Sequence, residues 1–179
     1  MITMATKKTS MFTLTERVTI TAAATDTFAT IDLSSYVDVG DRQALQVHSV
    51  DFIYQGSDPA TDVVANIGNG GEVKVQVTDL NRGGLVFADD RALVASGNLA
   101  TDGQGGIYNT LDQYPDNFGK GSEDGRYVVN DALYITANSV LLLGATPEVN
   151  VTVKVNASIV SLTAKDFMAI AIQSTAADN

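Results

Sequence analysis

A chain of 179 residues with 45% hydrophobic content and a mean hydropathy of +0.08 can build one real core and is too apolar for general disorder. Its formal charge of −10, from 21 acids against 11 bases, keeps it soluble, repels phosphate and argues against direct nucleic-acid binding. Without cysteine it forms no disulfide, no Cys-ligated zinc site and no thiol nucleophile.

Valine (20), threonine (19) and isoleucine (10) make 49 of the 179 residues β-branched, and such side chains pack well on a pleated surface. Of the acids, 17 are Asp and only four are Glu, which favours many short turns over helices. An all-β protein follows.

In chain order, residues 1–10 read as a polar, flexible arm carrying Lys7 and Lys8 but no apolar segment of a signal peptide. A first strand alternates Phe12, Leu14, Val18 and Ile20 with Thr13, Thr15, Arg17 and Thr19, interrupted on its dry face by Glu16. Thr27 to Leu33 is a second strand. Gln43 to Gln55 is a long third, with Leu45, Val47 and Ile53 on one face and Val50, Phe52 and Tyr54 on the other, as expected of a central or covered strand.

Ser57 to Gly71 reads as a loop. Val73, Val75 and Val77 make a fourth strand, which the Asn81–Arg82–Gly83–Gly84 turn joins to Leu85–Val86–Phe87 as a hairpin. Arg91 to Ala95 is a short strand candidate. Gly97 to Arg126 is a long loop with seven glycines and the aromatics Tyr108, Tyr114 and Phe118. Loops of this length tend to be functional or to pack on a neighbour, so Tyr108, Tyr114, Phe118 and the adjoining Tyr127 are the expected subunit-interface or recognition residues. Tyr127 to Thr136 and Val140 to Leu143 return to strand. The latter is the best apolar run and is far too short to span a membrane.

The strongest pattern comes last. Val149, Val151, Val153, Val155, Ala157 and Ile159 alternate with Glu148, Asn150, Thr152, Lys154, Asn156 and Ser158. From Glu148 to Ser161 this is 14 residues, roughly 46 Å at about 3.3 Å per residue, so the strand spans a whole sandwich and lines its seam. Val160 and Leu162 fall on the opposite parity, which predicts a bulge or bend near Ser158–Ser161. Thr163, with Asp166 three residues on and Leu162 and Phe167 as a staple, then starts a short helix over residues 167–173.

No catalytic, cofactor-binding or metal-binding signature stands out, and an enzyme is not expected. His48 is the only histidine, sits mid-strand, and has no Gly-x-Ser-x-Gly turn to serve, so it reads as a satisfied or solvent-facing strand residue. Carboxylates such as Asp51 and Glu72 show no spacing that singles out a glycosidase pair. Asp116–Asn117 and Glu123–Asp124 offer oxygens suited to calcium (Ca2+), but turn formation explains the same residues without a metal. Gly68–Asn69–Gly70–Gly71 precedes a strand rather than a helix, so it is a turn and not a phosphate loop. Asn150–Val151–Thr152 and Asn156–Ala157–Ser158 match glycosylation sequons, yet lie inside a regular strand and read as chance matches.

About eight strands separated by turns suit an eight-stranded jelly-roll β-sandwich with a short C-terminal helix. Residues 1–10 form the arm, 11–163 one jelly-roll domain, and 164–179 the helix and tail. Over residues 11–163 the strand count, loop style and size resemble the single jelly-roll capsid proteins of tailless icosahedral viruses. That resemblance implies a virion protein that assembles with copies of itself into capsomers, with no chemistry of its own. The acidic chain and its arm with only two lysines depart from capsid proteins that package RNA. They look closer to the small capsid proteins of membrane-containing archaeal and bacterial viruses, which implies a membrane beneath the shell and leaves room for a second capsid protein. Two rival readings share the sandwich: another virion component (decoration, spike or fibre protein), and a non-catalytic glycan-binding module.

Overall fold

The computed structural model describes residues 5–60, 62–102, 104, 106–108, 125–142 and 147–175. Ten strands and two helices are found among them: β1 (Thr6–Lys7), β2 (Phe12–Ile20), β3 (Thr27–Asp32), β4 (Gln43–Gln55), α1 (Val63–Ile67), β5 (Glu72–Thr78), β6 (Leu93–Thr101), β7 (Ile107–Tyr108), β8 (Arg126–Val128), β9 (Ala132–Ser139), β10 (Val149–Ser161) and α2 (Ala164–Thr175).

The pairing is nested. Strand β2 pairs with β10, β3 with β9, β4 with β8 and β5 with β6, all antiparallel. The chain is therefore one long hairpin, folded at the β5–β6 connection and rolled so that β10 also meets β4 and β9 also meets β5. Rolling yields two sheets, β2-β10-β4-β8 and β3-β9-β5-β6, with β1 added beside β10 and β7 added beside β6. This strand order is that of a jelly roll.

Alternation fills the seam between the sheets. Val149, Val151, Val153, Val155 and Ala157 of β10 are each 0% exposed and face Val73, Val75, Val77, Leu133, Ile135 and Ala137 of the other sheet in one cluster. Burying a valine is worth about 1.5–3 kcal/mol relative to leaving it in water, so this face dominates the fold's stability.

Several expectations need correction. The bulge lies not at Ser158–Ser161 but between Asn156 and Ala157, and its extra residue belongs to β4: Ser49 pairs with Asn156, Val47 with Ala157, and His48 is left over. Strand β10 keeps its alternation. Val160 and Leu162 change face because α2 covers the outer side there, burying both with Ala44, Val129 and Phe167 in a second cluster. The same bulge explains the mixed faces of β4: Leu45 and Val47 point into the seam before it, and Val50 and Phe52 after it, on the other parity.

The long loop does not begin at Gly97, which lies in the middle of β6; that strand runs well past the short Arg91–Ala95 segment expected. A Cβ on Gly97 would lie 2.7 Å from Phe52 Cδ2, so the glycine lets a ring from the opposite sheet cross the seam. Strand β5 forms its hairpin with β6, because residues 85–87 are not a strand; Gln76 instead holds Val86 from both sides, donating to its carbonyl at 2.8 Å and accepting from its N–H at 2.7 Å. Val140 to Leu142 are irregular, Leu143 is outside the described residues, and the expected strand from Tyr127 to Thr136 is split into β8 and β9.

The Ser57–Gly71 stretch contains α1, whose Asp62 Oδ1 accepts from Val64 N at 3.0 Å as the N-cap and whose Ile67 is fully buried in the core. Helix α2 starts three residues earlier than expected. Thr163 Oγ1 accepts from Asp166 N at 3.2 Å and donates to Asp166 Oδ2 at 2.5 Å, closing the first turn. In the expected arm, Thr6 and Lys7 pair with Ser161 and Val160, so residues 5–9 run along the end of β10. None of the described helices is long and apolar enough to cross a membrane.

Candidate functional site

Of the aromatics singled out from sequence, Tyr108 and Tyr127 lie in strands of different sheets. Tyr108 ends β7, the last strand beside β6 among the described residues, and is paired with Ala100. Tyr127 is in β8, at the edge of the other sheet, and packs partly buried against the α2 cluster. Tyr114 and Phe118 lie outside the described residues, as do Asp116, Asn117, Glu123 and Asp124. Among the described residues no three acid or histidine groups stand close enough to hold a metal ion.

A different surface carries the exposed rings. Strand β3 alternates buried or half-buried Thr27, Ala29 and Ile31 with exposed Phe28, Thr30 and Asp32. Phe28, 56% exposed, therefore lies on the outer face of its sheet. The β5–β6 connection straps across that same face. Gln76 pins Val86, and Gly84 lies so close to Asp26 that an added Cβ would be 3.1 Å from its Oδ2. Asp26 in turn accepts from Asn138 Nδ2 at 2.6 Å. Beside the strap opens a cleft of about 390 Å3 lined by Phe28, Ala29, Thr30, Asn81, Gly83, Tyr134 and Ile135. Phe87, next to the pinned Val86, is 86% exposed. The outer face of this sheet thus presents two water-facing phenylalanine rings, a surface suited to contact. The signal was in the sequence: Phe28 is the one large apolar residue on the polar parity of β3.

The base of the strap is fixed by buried charge. Asp79, 2% exposed, accepts from Arg126 Nη2 at 3.1 Å, and the same guanidinium donates to the Arg91 carbonyl. Asn130 Nδ2 donates to the Asp79 carbonyl at 2.8 Å. A second pair, Arg82 to Asp90 at 2.9 Å, closes the strap on itself. Burial pushes the Asp79 carboxyl above its ordinary range, although Arg126 and Arg82 pull the other way. Its Oδ1 has no hydrogen-bond partner among the described residues. This cluster ties the β5–β6 connection to β8.

His48, the bulge residue, is half-buried, with Nε2 hydrogen-bonded to Ser158 Oγ at 2.9 Å. Ser158 is itself 0% exposed, so the pair has no access to a substrate carbonyl. Burial and the nearby positive charge of Lys7 both hold the imidazole below its ordinary value. The outer face around β10 is otherwise a polar ladder: Thr13 donates to Asn156 at 2.7 Å, Thr19 to Asn150 at 2.7 Å, and Asn156 donates to Ser49 at 2.9 Å. Both sequon asparagines are thus committed to this ladder, inside a paired strand.

The strand order and seam define the chain as a jelly-roll β-sandwich. No protein-family model and no curated protein sequence matches it. Among solved structures it is similar to VP1 of Trichodysplasia spinulosa-associated polyomavirus in complex with 3'-sialyllactose, at 11% identity and a TM-score of 0.46 over 91% of this chain and 98% of that one. VP1 of the same virus alone aligns at 10% identity and a TM-score of 0.45, covering 91% and 100%. Its complex with GM1 oligosaccharide aligns at 10% identity and 0.44, covering 90% and 99%.

Proposed function

We propose that this chain is a structural subunit of a viral capsid, built to assemble with copies of itself and not to catalyse a reaction. The observation that carries the reading is the jelly-roll sandwich with exposed apolar side chains on several separate sides. Phe28 and Phe87 lie on one outer face, Ile107 on the β7 edge, Val39 in the β3–β4 connection, and Met168 and Ile172 on the outer side of α2, all at least 56% exposed. A shell subunit needs contacts in more than one direction, because a single closed contact ends at a dimer. In this reading the Tyr108–Tyr127 connection, with Tyr114 and Phe118, forms one contact and the Phe28–Phe87 face another. The domain division into arm, jelly roll and helical tail belongs to the same proposal, as does residence in the virion.

Light scattering after size exclusion, with negative-stain imaging, tests it. Capsomers or closed shells support the proposal, and a monomer at every concentration and salt tried refutes it. A second reading is favoured by the cleft alone. A ring platform in Phe28, an amide in Asn81 and a hydroxyl in Tyr134 suit a glycan-binding module. Under that reading Phe28→Ala abolishes oligosaccharide binding by a monomer.

A further inference from the structure

Helix α2 is apolar on two sides. Its inner side seals onto the outer face of the β2-β10-β4-β8 sheet, where Phe167 is buried with Ala44 and Val160, and Ile170 packs against them half-buried. The side turned to water carries Met168 and Ile172, one turn apart and 59% and 61% exposed, with exposed Ala164 and Ala169 flanking them. A surface helix normally places polar and charged residues there. Lys165, seven residues before Ile172 and so on the same side, is the one charged residue among these exposed positions.

The cleft beside the β5–β6 connection opens on the opposite side of the sandwich, on the outer face of the β3-β9-β5-β6 sheet. Its volume of about 390 Å3 has room for a few side chains but not for a helix, and Phe28 and Tyr134 give it aromatic walls. Its surroundings are acidic. Asp32 shares the outer parity of β3 with Phe28, Asp26 lies two residues before Phe28 and is held by Asn138, and Asp89 is exposed two residues after Phe87. Arg82 pairs with Asp90 at 2.9 Å and Lys74 of β5 with Glu72 at 3.6 Å, so neither cation offsets these three carboxylates.

We propose that the Met168–Ile172 side of α2 docks head-to-tail into the Phe28 cleft of a second copy of this chain. A thioether beside aromatic rings is a favourable contact, so Met168 suits walls made by Phe28 and Tyr134. Lys165 brings positive charge to an acidic rim, whereas two clefts face to face, or two α2 stripes, would bring like charges together. Stripe and cleft lie on opposite outer faces, so a chain cannot join its own, and every docked copy still offers one of each. Such a contact propagates into a ring or a lattice and does not close at a dimer. One helix turn in a cleft buries less than the roughly 1,200 Å2 of a standard interface, so each contact is weak and gains strength by repetition. Docking of this kind rests on the shell-subunit reading and adds which surfaces meet.

Sedimentation velocity of the full chain over a concentration series tests it with two variants at exposed positions. Met168→Glu and Phe28→Thr should each weaken self-association about ten-fold or more. An equimolar mixture of the two should associate about ten-fold more strongly than either alone, because an intact stripe on one then meets an intact cleft on the other. Lys165→Glu should weaken association roughly two- to ten-fold in low salt and less in high salt. If the parent assembles and either variant assembles equally well, this docking is overturned and the shell-subunit reading stands. Loss of binding to phosphatidylglycerol vesicles in a Met168→Glu protein that still self-associates would assign the stripe to a lipid surface and overturn it too. A mixture no stronger than its components overturns it in favour of like surfaces meeting like. A parent that is monomeric throughout overturns both the docking and the reading beneath it.

Discussion

A single carbon added at position 97 tests the packing of the seam more sharply than any deletion. Gly97 sits in the middle of β6 and has no positive φ, so alanine is compatible with its backbone. On backbone grounds alone, Gly→Ala should stabilise by about 0.4–1 kcal/mol, through the lower entropy of the unfolded chain. Sterically the sign reverses. The new Cβ would lie 2.7 Å from Phe52 Cδ2 and 3.2 Å from both Phe52 Cε2 and the Tyr54 hydroxyl. Phe52 must then move within a seam walled by fully buried valines, and overpacking of this kind costs about 1–3 kcal/mol. The net expectation for Gly97→Ala is a loss of up to about 2.6 kcal/mol, read as a lower urea midpoint at unchanged slope. Phe52→Leu in the same background should recover part of the loss, giving a favourable coupling in a double-mutant cycle. A Gly97→Ala protein more stable than the parent by about 0.4–1 kcal/mol would refute the seam geometry, and would instead fit a glycine in a solvent loop.

Three further expectations follow from the core, the cap and the buried charge. Val153→Ala removes two methyl groups from a fully buried position on β10 and should cost about 1.5–3 kcal/mol in urea unfolding; a loss under about 0.5 kcal/mol would mean the seam is looser than described. Thr163→Ala should cost about 0.5–2 kcal/mol and raise amide exchange in the first turn of α2 while leaving β5 unchanged; unaltered exchange there would discount the cap. Asp79 has a raised folded value, so its contribution to stability is fully present below about pH 3.8 and is lost as pH rises through that raised value. Arg126→Met should enlarge this trend, costing about 3–5 kcal/mol at neutral pH and less on acidification, when Asp79 can go neutral. Equal losses at neutral and acidic pH would show that Arg126 acts only through packing.

Much of the fold was legible because period-two alternation is a local signal. Strands β2, β4 and β10 follow directly from it, and the Thr163–Asp166 cap is written in adjacent residues. What alternation cannot carry is the identity of the partner. Residues 85–87 look like a strand, yet Gln76 uses its amide to satisfy Val86 where a ladder would otherwise do so. Val160 and Leu162 suggested a bulge in β10, but their change of face is explained by α2 and the bulge lies one strand away at His48. Gly97 looked like loop punctuation because its reason, the Phe52 ring, comes from 45 positions earlier in the chain. Tyr108 and Tyr127 are placed on different sheets, whereas Phe28 and Phe87 share a face only because the β5–β6 connection folds across β5 and β9.

The proposed role as the repeating unit of a shell is decided by a cryo-EM reconstruction of particles that contain this chain. In a shell subunit the two sheets, β2-β10-β4-β8 and β3-β9-β5-β6, recur at every position of a continuous lattice, with the Phe28–Phe87 face or the β7–β8 edge buried between neighbours. A shell built from another protein, with this chain absent or only decorating its surface, would contradict it.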